Sequence, residues 1–561
     1  MKLSLERTIV GTVAALIPGV IMTHCIAALL RIYFAPDAAS AVLALAMGAV
    51  IVTIVPAACF AVTHSPKLCR AVSWFIGPLV GLPLVGHFSG SWVPCVGIIV
   101  VSPFVFELFA RVAGRLPESV DGVLQRRPLR SILWGLIALL AVVQTVRLSS
   151  WISDPATDWW LCTRDPYYAQ HMCLNAYIHG ADLNRQGVEN IYGFEYYPGL
   201  NPEATPQTTV TNLSPDDPYQ YPPQFLLLPR FALALTNDFC VIKIAWFALQ
   251  TMAFLVLFWR LASFVGGIRG RCALLLIPLV WVSFPILSNF QYGQFHLASV
   301  ALAVIGMMLF ATERPILGGA ALALGILSKL TPGILLVYLL ARKQYRELAW
   351  TLGFCVTYTV AALFLVGTEP FVAFFNYHLP RLQDGSAFAF ATAWPEYENL
   401  IIAGNQSPYG VILKLAALGV DGMTSAVAGI VHNAYALVIV ALGIFAGRKC
   451  SEKTAPPLVW LALLNLAALV SKGAWGDYVP LGSVWMLSFL AVEFAESMRW
   501  RAFIAACWVF IGISLGVMPA PVLEDAPLVM ISLSLVGFVM IVTLNTWIIF
   551  RQASRVANSK S

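Results

Sequence analysis

Long apolar runs are the feature that most constrains how this chain folds. Each is close to the length of about 20 apolar residues that a membrane-spanning helix needs. They fall at residues 8–30, 41–62, 71–90, 91–110, 131–151, 238–259, 271–289, 295–312, 347–368, 432–447, 456–471, 479–495, 501–518 and 527–550. Two shorter runs, 315–328 and 331–341, flank Lys329-Leu330-Thr331-Pro332. Because backbone in lipid must bond its own polar groups, these runs predict an all-α polytopic membrane protein with about 16 segments.

The composition argues against an ordinary soluble domain. Of the 561 residues, 59% are hydrophobic and 11% are charged, whereas soluble domains average about 25% charged residues. The net charge of +6 is explained by basic residues in cytoplasmic loops, so we predict no nucleic-acid partner. The first run has the length of a span and lacks a small-residue cleavage site, so no cleaved signal is predicted.

Basic residues lie at alternate connections when the N-terminus is placed inside. They cluster near residues 67–70, 111–130, 260–271, 342–346, 448–453 and 499–501. The positive-inside rule assigns such connections to the cytoplasm. The opposite face then receives the large loop 152–222, which follows the fifth run, together with residues 290–294, 369–431 and 472–478. The polar and aromatic loops are therefore predicted to be external.

Three regions are predicted along the chain. Residues 1–130 form an additional transmembrane module, a candidate surface for an envelope-assembly partner. Residues 131–495 form the core, with the external loop 152–222 and the external segment 369–431. Residues 496–561 form the last helices and a cytoplasmic tail. No internal repeat is visible, so the inverted repeats common in secondary transporters find no support.

Loop 152–222 is the longest polar interruption, and its carboxylates and aromatic rings suggest chemistry on a lipid-linked sugar. Asp165 lies in Arg164-Asp165-Pro166-Tyr167-Tyr168. The apolar spacing that follows predicts a short helix on the membrane surface. Pro166 suits the first turn of that helix, and Asp165 suits its N-cap. A capping aspartate needs no catalytic role, so capping and catalysis stand as alternatives.

Five short motifs occur in a characteristic order over about residues 145–480. They are Asp165, Tyr168 and Ala169 with Gly180 and Ile191-Tyr192; Tyr221-Pro222-Pro223 with Pro229; Gly293-Gln294; Leu317-Gly318-Gly319 before Lys329-Leu330-Thr331-Pro332; and Gly404-Asn405-Gln406-Ser407. In this order they resemble the polyprenol-phosphate-mannose-dependent mannosyltransferases, glycosyltransferase family 87. The resemblance implies the GT-C-type membrane glycosyltransferase fold.

The resemblance also implies a role for one carboxylate of the loop. Asp165 would be the base that takes the proton from the acceptor hydroxyl. Asp158 is the reserve candidate because it lies in the same loop. The phosphate leaves as a stable anion, so neither an acid nor a covalent intermediate is required and the sugar carbon inverts. No metal site and no cofactor are assigned.

Fixed positive charge is expected beside the leaving phosphate. A charged lysine such as Lys329 is energetically costly at membrane depth, which suggests that it has a function there. The alternative is that its side chain snorkels to the interface. Lys472 has a similar claim, and Arg164 lies beside Asp165. Family members often carry histidine after the tryptophan of the last motif, where this chain has Gly476-Asp477-Tyr478. Lys472 or His378 would replace that histidine here, or the donor differs.

The other candidate substrate contacts come from the motifs. They are Tyr168, Tyr221, Gln294, His296, Asn405, Gln406 and Trp475. His296 stands where the family usually has asparagine after the Gly-Gln pair, which puts the identity of the sugar in doubt. The loop aromatics serve either as sugar-stacking platforms or as an interfacial belt. His171 and His179 are interpreted as solvated histidines. Cys162 and Cys173 either form a disulfide or are buried unpaired.

The leading hypothesis is a membrane glycosyltransferase that moves mannose or a related hexose or pentose from a polyprenyl-phosphate donor. The acceptor would be a lipid-linked or cell-envelope glycan. The resemblance places the protein among the lipids of a bacterial cytoplasmic membrane, with the active site facing the periplasm. A lipid or solute transporter or flippase is the alternative, but such proteins place several ionisable residues near mid-membrane, and few occur here. A non-catalytic scaffold is a third hypothesis.

Overall fold

The computed structural model describes most of the chain after residue 127. The described ranges are 128–153, 173–201, 203–205, 207–215, 217–388, 390–393, 395, 398–450, 456–476, 479–493, 498–512 and 526–558, with Ile17, Val20, Ile21 and Cys25. Within them the regular secondary structure is helical. The all-α membrane fold predicted from the sequence is confirmed.

The α-helices follow the chain in this order. They are α1 Pro128–Ser153, α2 Cys173–Arg185, α3 Leu227–Leu235, α4 Phe239–Val265, α5 Gly267–Leu275, α6 Ile277–Trp281, α7 Phe284–Gln291, α8 His296–Ala311, α9 Pro315–Ser328, α10 Ile334–Ala341, α11 Tyr345–Val366, α12 Glu369–Ala373, α13 Leu379–Asp384, α14 Phe390–Ala393, α15 Glu398–Gly404, α16 Pro408–Ala417, α17 Ser425–Lys449, α18 Pro456–Ala468, α19 Leu481–Glu493, α20 Met498–Gly512 and α21 Pro527–Asn558. A π-helical turn, Phe374–His378, joins α12 to α13.

Five of the described helices are long and apolar enough to cross a membrane by themselves. They are Ile132–Ser149 within α1, α4, α11, α17, and Pro527–Ser554 within α21. The expected spans 347–368, 432–447 and 527–550 correspond to α11, α17 and α21, and the short run 315–328 is α9. Large apolar side chains stand exposed on α11, including Phe364 at 85%, as expected of a lipid-facing helix. The total of about 16 segments stays a prediction.

The expected single span over residues 271–289 is instead divided among α5, α6 and α7. Pro278 and Pro285 each lie in the first turn of the helix that follows a division. Proline lacks the N–H of a helix interior and is tolerated in a first turn, which explains both interruptions. The prediction of one continuous helix was wrong here because it counted apolar residues and passed over these prolines.

The chain forms two compact units. The first comprises Met1–Leu161 and Cys240–Val282, and the second comprises Cys162–Phe239 and Ser283–Ser561. In the first, the indole N–H of Trp281 donates to Thr145 Oγ1 at 2.9 Å, which ties α6 to α1. The division at residues 130 and 495 made from the sequence stays a prediction.

The second unit contains a bend that matters for the site. Helices α7 and α8 meet at an angle of 112°. Gly293 lies in the connection with φ +64°, a left-handed conformation that glycine adopts without steric cost. The bend leaves Gln294 between two helix ends and fully inside the protein, at 5% exposure.

The paired glycines of α9 allow neighbouring helices to approach closely. Helix α9 packs against both α8 and α11. A Cβ atom at Gly318 would lie 2.9 Å from the carbonyl oxygen of Gly306, and one at Gly319 would lie 2.7 Å from Trp350 Cβ. Small residues at such contacts are typical of helix packing in membranes. Leu317-Gly318-Gly319 is therefore explained by packing that supports the helix leading to Lys329.

Candidate active site

The predicted site residues fall into three groups. Asp165, Asp158, Arg164 and Tyr168 lie outside the described residues, so their roles stay predictions. The second group gathers at the bend between α7 and α8. The third joins the Asn405–Ser407 turn to the segment 472–476. The described residues of the second and third groups belong to the second unit.

The Gln294 cluster consists of Cys173, Tyr177, Tyr221, Gln294 and Lys329. Gln294 Oε1 accepts hydrogen bonds from the hydroxyls of Tyr177 at 3.1 Å and Tyr221 at 3.4 Å, and from Lys329 Nζ at 3.4 Å. Gln294 Nε2 lies 2.6 Å from Cys173 Sγ. One amide side chain thus gathers two phenols and an ammonium contributed by three other stretches of chain.

Lys329 reaches the cluster because α9 ends immediately before it. Its backbone is extended, with φ −147° and ψ 123°, and its Nζ lies 4.7 Å from the centre of the Tyr221 ring. The Tyr221 ring and the Gln294 amide are neutral, so neither cancels the ammonium charge. His296, also predicted at the site, is buried at the first position of α8.

Tyr177 belongs to the Gln294 cluster, although the sequence did not single it out. Its hydroxyl also accepts the backbone N–H of Phe295 at 3.1 Å and lies 3.0 Å from the Tyr221 hydroxyl. Desolvation by burial raises the pKa of Tyr177 well above its ordinary value, and Cys173 and Asp217 contribute smaller effects in the same direction. The phenol therefore stays protonated and keeps a hydrogen to donate. Its position four residues after Cys173 on a helix was the only available signal.

His378 lies at the edge of this region and is stacked on Tyr192. The two rings are 4.4 Å apart with an interplanar angle of 17°, and the Tyr192 hydroxyl donates to the Tyr221 carbonyl at 2.9 Å. Desolvation lowers the pKa of His378 to about 4. At neutral pH the imidazole is uncharged. His378 can therefore offer a hydrogen bond to phosphate but not the fixed charge expected of it.

The Asn405–Ser407 turn is bonded to the segment that contains Lys472 and Trp475. Asn405 Nδ2 and Ser407 Oγ both donate to the Lys472 carbonyl, at 2.8 and 3.1 Å. The backbone N–H of Gln406 donates to Ala474 O at 2.6 Å, and Gln406 Nε2 donates to Ser534 Oγ at 2.6 Å. These bonds of Asn405 and Gln406, predicted as substrate contacts, hold protein segments together.

The side chains of Lys472 and Trp475 lie among aromatic rings. Lys472 Nζ is 5.0 Å from the centre of the Tyr409 ring, and Trp475 meets Phe390 edge to face at 5.7 Å. Hydrogen bonds from Ser386, followed by the charges of Arg381 and Lys472, lower the pKa of the exposed Asp384. Lys472 therefore has one ionised carboxylate nearby, and its place beside the donor phosphate stays a prediction.

Helix α2 is buried inside the protein, whereas the sequence predicted a helix lying on the membrane surface. Every residue from Cys173 to Leu183 is buried. His179, expected to be solvated, is 0% exposed, with Nε2 3.2 Å from the carbonyl oxygen of Gln207. Both predictions were wrong because the chain after residue 200 folds back over this helix. Cys162 lies outside the described residues, so its pairing with Cys173 stays open.

Asp182 holds that covering chain in place and was missed as a structural residue. Its carboxylate accepts the backbone N–H of Thr209 at 2.7 Å, the hydroxyls of Thr208 and Thr209, and a 2.8 Å bond from Arg185. Desolvation opposes ionisation, but these hydrogen bonds prevail and lower the pKa of Asp182. The buried charge is thereby paired, and α2 is fixed where Tyr177 meets Gln294.

Comparison with known proteins gives a consistent result. Residues 219–472 match the model of "Glycosyltransferase family 87". This segment contains Tyr221, Gln294 and Lys329 and both sides of the Asn405–Lys472 connection. No solved structure matches the chain.

Two curated proteins share the description "Polyprenol-phosphate-mannose-dependent alpha-(1-2)-phosphatidylinositol mannoside mannosyltransferase". The one from Mycobacterium tuberculosis (strain ATCC 25618 / H37Rv) is 26% identical over 402 residues, which cover 69% of this chain and 81% of that protein. The one from Mycolicibacterium smegmatis (strain ATCC 700084 / mc(2)155) is 25% identical over 237 residues, 41% of this chain and 48% of that protein.

Proposed function

Because this chain belongs to glycosyltransferase family 87 and is a polyprenyl-phosphate-sugar-dependent glycosyltransferase, we propose that it transfers mannose to a cell-envelope acceptor. The choice of mannose follows the descriptions of the two mycobacterial relatives. The acceptor is a lipid-linked or envelope glycan on the outer face of a bacterial cytoplasmic membrane. That orientation follows the distribution of basic residues along the sequence.

The Gln294 cluster is the observation that carries this proposal. It presents one ammonium, from Lys329, and two phenolic hydroxyls, from Tyr177 and Tyr221, around a single amide oxygen. Such donors stabilise the charge that grows on a leaving phosphate, most strongly where water is excluded. In this proposal the donor phosphate binds beside Lys329, and Lys472 supplies further positive charge.

The reaction requires a base on the acceptor side. A bond forms between the acceptor oxygen and the anomeric carbon as the bond from that carbon to the phosphate oxygen breaks. Asp165 takes the hydroxyl proton, and polyprenyl phosphate leaves with the electron pair. Direct displacement inverts the anomeric carbon. Asp158 is the reserve base, and Arg164 would contribute charge beside Asp165.

Transfer assays with purified protein in nanodiscs test this function. The protein is incubated with native envelope lipids and, in separate reactions, radiolabelled polyprenyl-phosphate mannose or other polyprenyl-phosphate sugars. The proposal requires label from the mannose donor to appear in an acceptor. If only a donor with another sugar gives labelled acceptor, mannose is not the sugar that the protein transfers. No transfer from any donor, together with movement of polyprenyl-phosphate lipid across a vesicle bilayer, would favour a flippase instead.

A further inference from the structure

Lys414 is a buried lysine to which the proposed reaction gives no role. It lies on α16, in the segment predicted to be external, and is 0% exposed. Its Nζ donates to the carbonyl oxygen of Asn405 at 2.6 Å. Burying an amine is unfavourable unless hydrogen bonds compensate. An apolar residue would fill the same space without that cost, so the amine itself requires an explanation.

The bond from Lys414 acts on a peptide group that is bonded at both ends. The carbonyl of that group is Asn405 O, and its N–H, which belongs to Gln406, donates to Ala474 O at 2.6 Å. Hydrogen bonds in series polarise and strengthen one another. Lys414 therefore tightens the hold of this peptide on Ala474.

The same turn fixes the backbone of Lys472. The carbonyl of Lys472 accepts from Asn405 Nδ2 at 2.8 Å and from Ser407 Oγ at 3.1 Å. Asn405 and Ser407, the residues before and after Gln406, thus bind the chain at Lys472. Two hydrogen bonds lead from the buried amine to the residue that we place at the donor phosphate.

Helix α16 is shaped to receive Asn405. Gly410 lies one turn before Lys414, so both face the same side of the helix. A Cβ atom at Gly410 would lie 2.5 Å from Asn405 O. Gly410 makes room for the carbonyl, and Lys414 supplies the donor that it needs. Burial lowers the pKa of Lys414 to about 7, and both the ammonium and the neutral amine retain N–H donors.

We propose that Lys414 is a positioning residue for Lys472, acting through the Asn405–Ser407 turn. Lys414 holds the turn on α16, and the turn holds the backbone from Lys472 to Ala474. The Lys472 ammonium is thereby kept where it meets the donor phosphate. This inference rests on the proposed function, because it takes the role of Lys472 from there.

The test is a double-mutant cycle between Lys414→Met and Lys472→Met in nanodiscs. Binding of polyprenyl-phosphate mannose is followed by tryptophan fluorescence, and transfer gives KM and kcat. Lys414→Met should raise both the donor Kd and KM about tenfold, since small misplacements near a site have effects of this size or larger. The value of kcat should change less than twofold. Starting from Lys472→Met, the added Lys414→Met substitution should change neither Kd nor KM by more than about twofold.

Gly410→Ala serves as a second variant that leaves the amine in place. It displaces Asn405 instead, and should raise the donor Kd to a similar extent. The matched control is Lys449→Met, which removes an exposed lysine at the end of α17 and should leave Kd unchanged. Thermal unfolding of each variant identifies any that fail to fold.

The outcomes separate this proposal from the function on which it rests. If the wild type binds the donor but transfers no sugar, the result counts against the proposed reaction. The double-mutant cycle measured through the donor Kd would still test the positioning role of Lys414. An unchanged Kd in Lys414→Met, or the full increase again in the Lys472→Met background, would overturn the positioning role. An absence of donor binding by the wild type would overturn both.

Discussion

The ammonium of Lys329 and the side-chain oxygen of Gln294 are 3.4 Å apart although 35 residues separate them in the chain. The bend after α7 places Gln294 at this point, and the end of α9 places Lys329 there. Each residue lies at a helix boundary rather than inside a helix. The surrounding helices hold both side chains in place, a suitable arrangement for binding an anion beside a membrane.

Removing the charge of Lys329 tests its role at the donor phosphate. Lys329→Met keeps the length of the side chain and should lower kcat/KM for polyprenyl-phosphate mannose about 100-fold, the effect of losing one donor to a developing charge. Lys343→Met, at an exposed turn, is the matched control and should transfer normally. Transfer within twofold of the wild type in Lys329→Met would leave the ammonium without that role.

The two phenols of the Gln294 cluster should respond differently to loss of the hydroxyl. Tyr177→Phe leaves the buried N–H of Phe295 without the acceptor that it now has, so the free energy of unfolding should fall by about 1–3 kcal/mol. Tyr221→Phe leaves that N–H bonded and should lower kcat with a smaller loss of stability. Denaturant unfolding and initial rates measure the two effects. Equal losses of stability would contradict the distinction.

Acid should destabilise the fold through His378. Its pKa is about 4 in the folded protein, below the ordinary value of about 6.5. Between these values the unfolded chain binds a proton that the folded protein does not, so stability falls as pH drops from about 6.5 towards 4. His378→Phe keeps a ring against Tyr192 and removes this proton. Its unfolding temperature should fall less than that of the wild type between pH 7 and pH 5. An identical fall in both proteins would argue against a neutral buried His378.

Sequence patterns predicted long apolar helices such as α11, α17 and α21, since their length follows from the bilayer, but not the division of residues 271–289 at its prolines. The sequence also predicted Gln294 and Lys329 as site residues, because each belongs to a short ordered motif at the edge of an apolar run. It could not distinguish Tyr177 from an ordinary core aromatic, since both occupy the buried face of a helix. The burial of His179 and the role of Asp182 depend on the chain folding back over α2. Helical spacing carries no information about that contact.

The most direct measurement compares wild type with Asp165→Asn in the nanodisc transfer assay, using polyprenyl-phosphate mannose and native envelope lipids. The substitution keeps the shape of the side chain and removes its basicity. We expect transfer by the wild type and a loss of roughly 100- to 10,000-fold in a variant that still folds and binds donor. Asp158→Asn, in the same loop, should retain most of the activity. Equal turnover by Asp165→Asn and the wild type would contradict the assignment of Asp165 as the base.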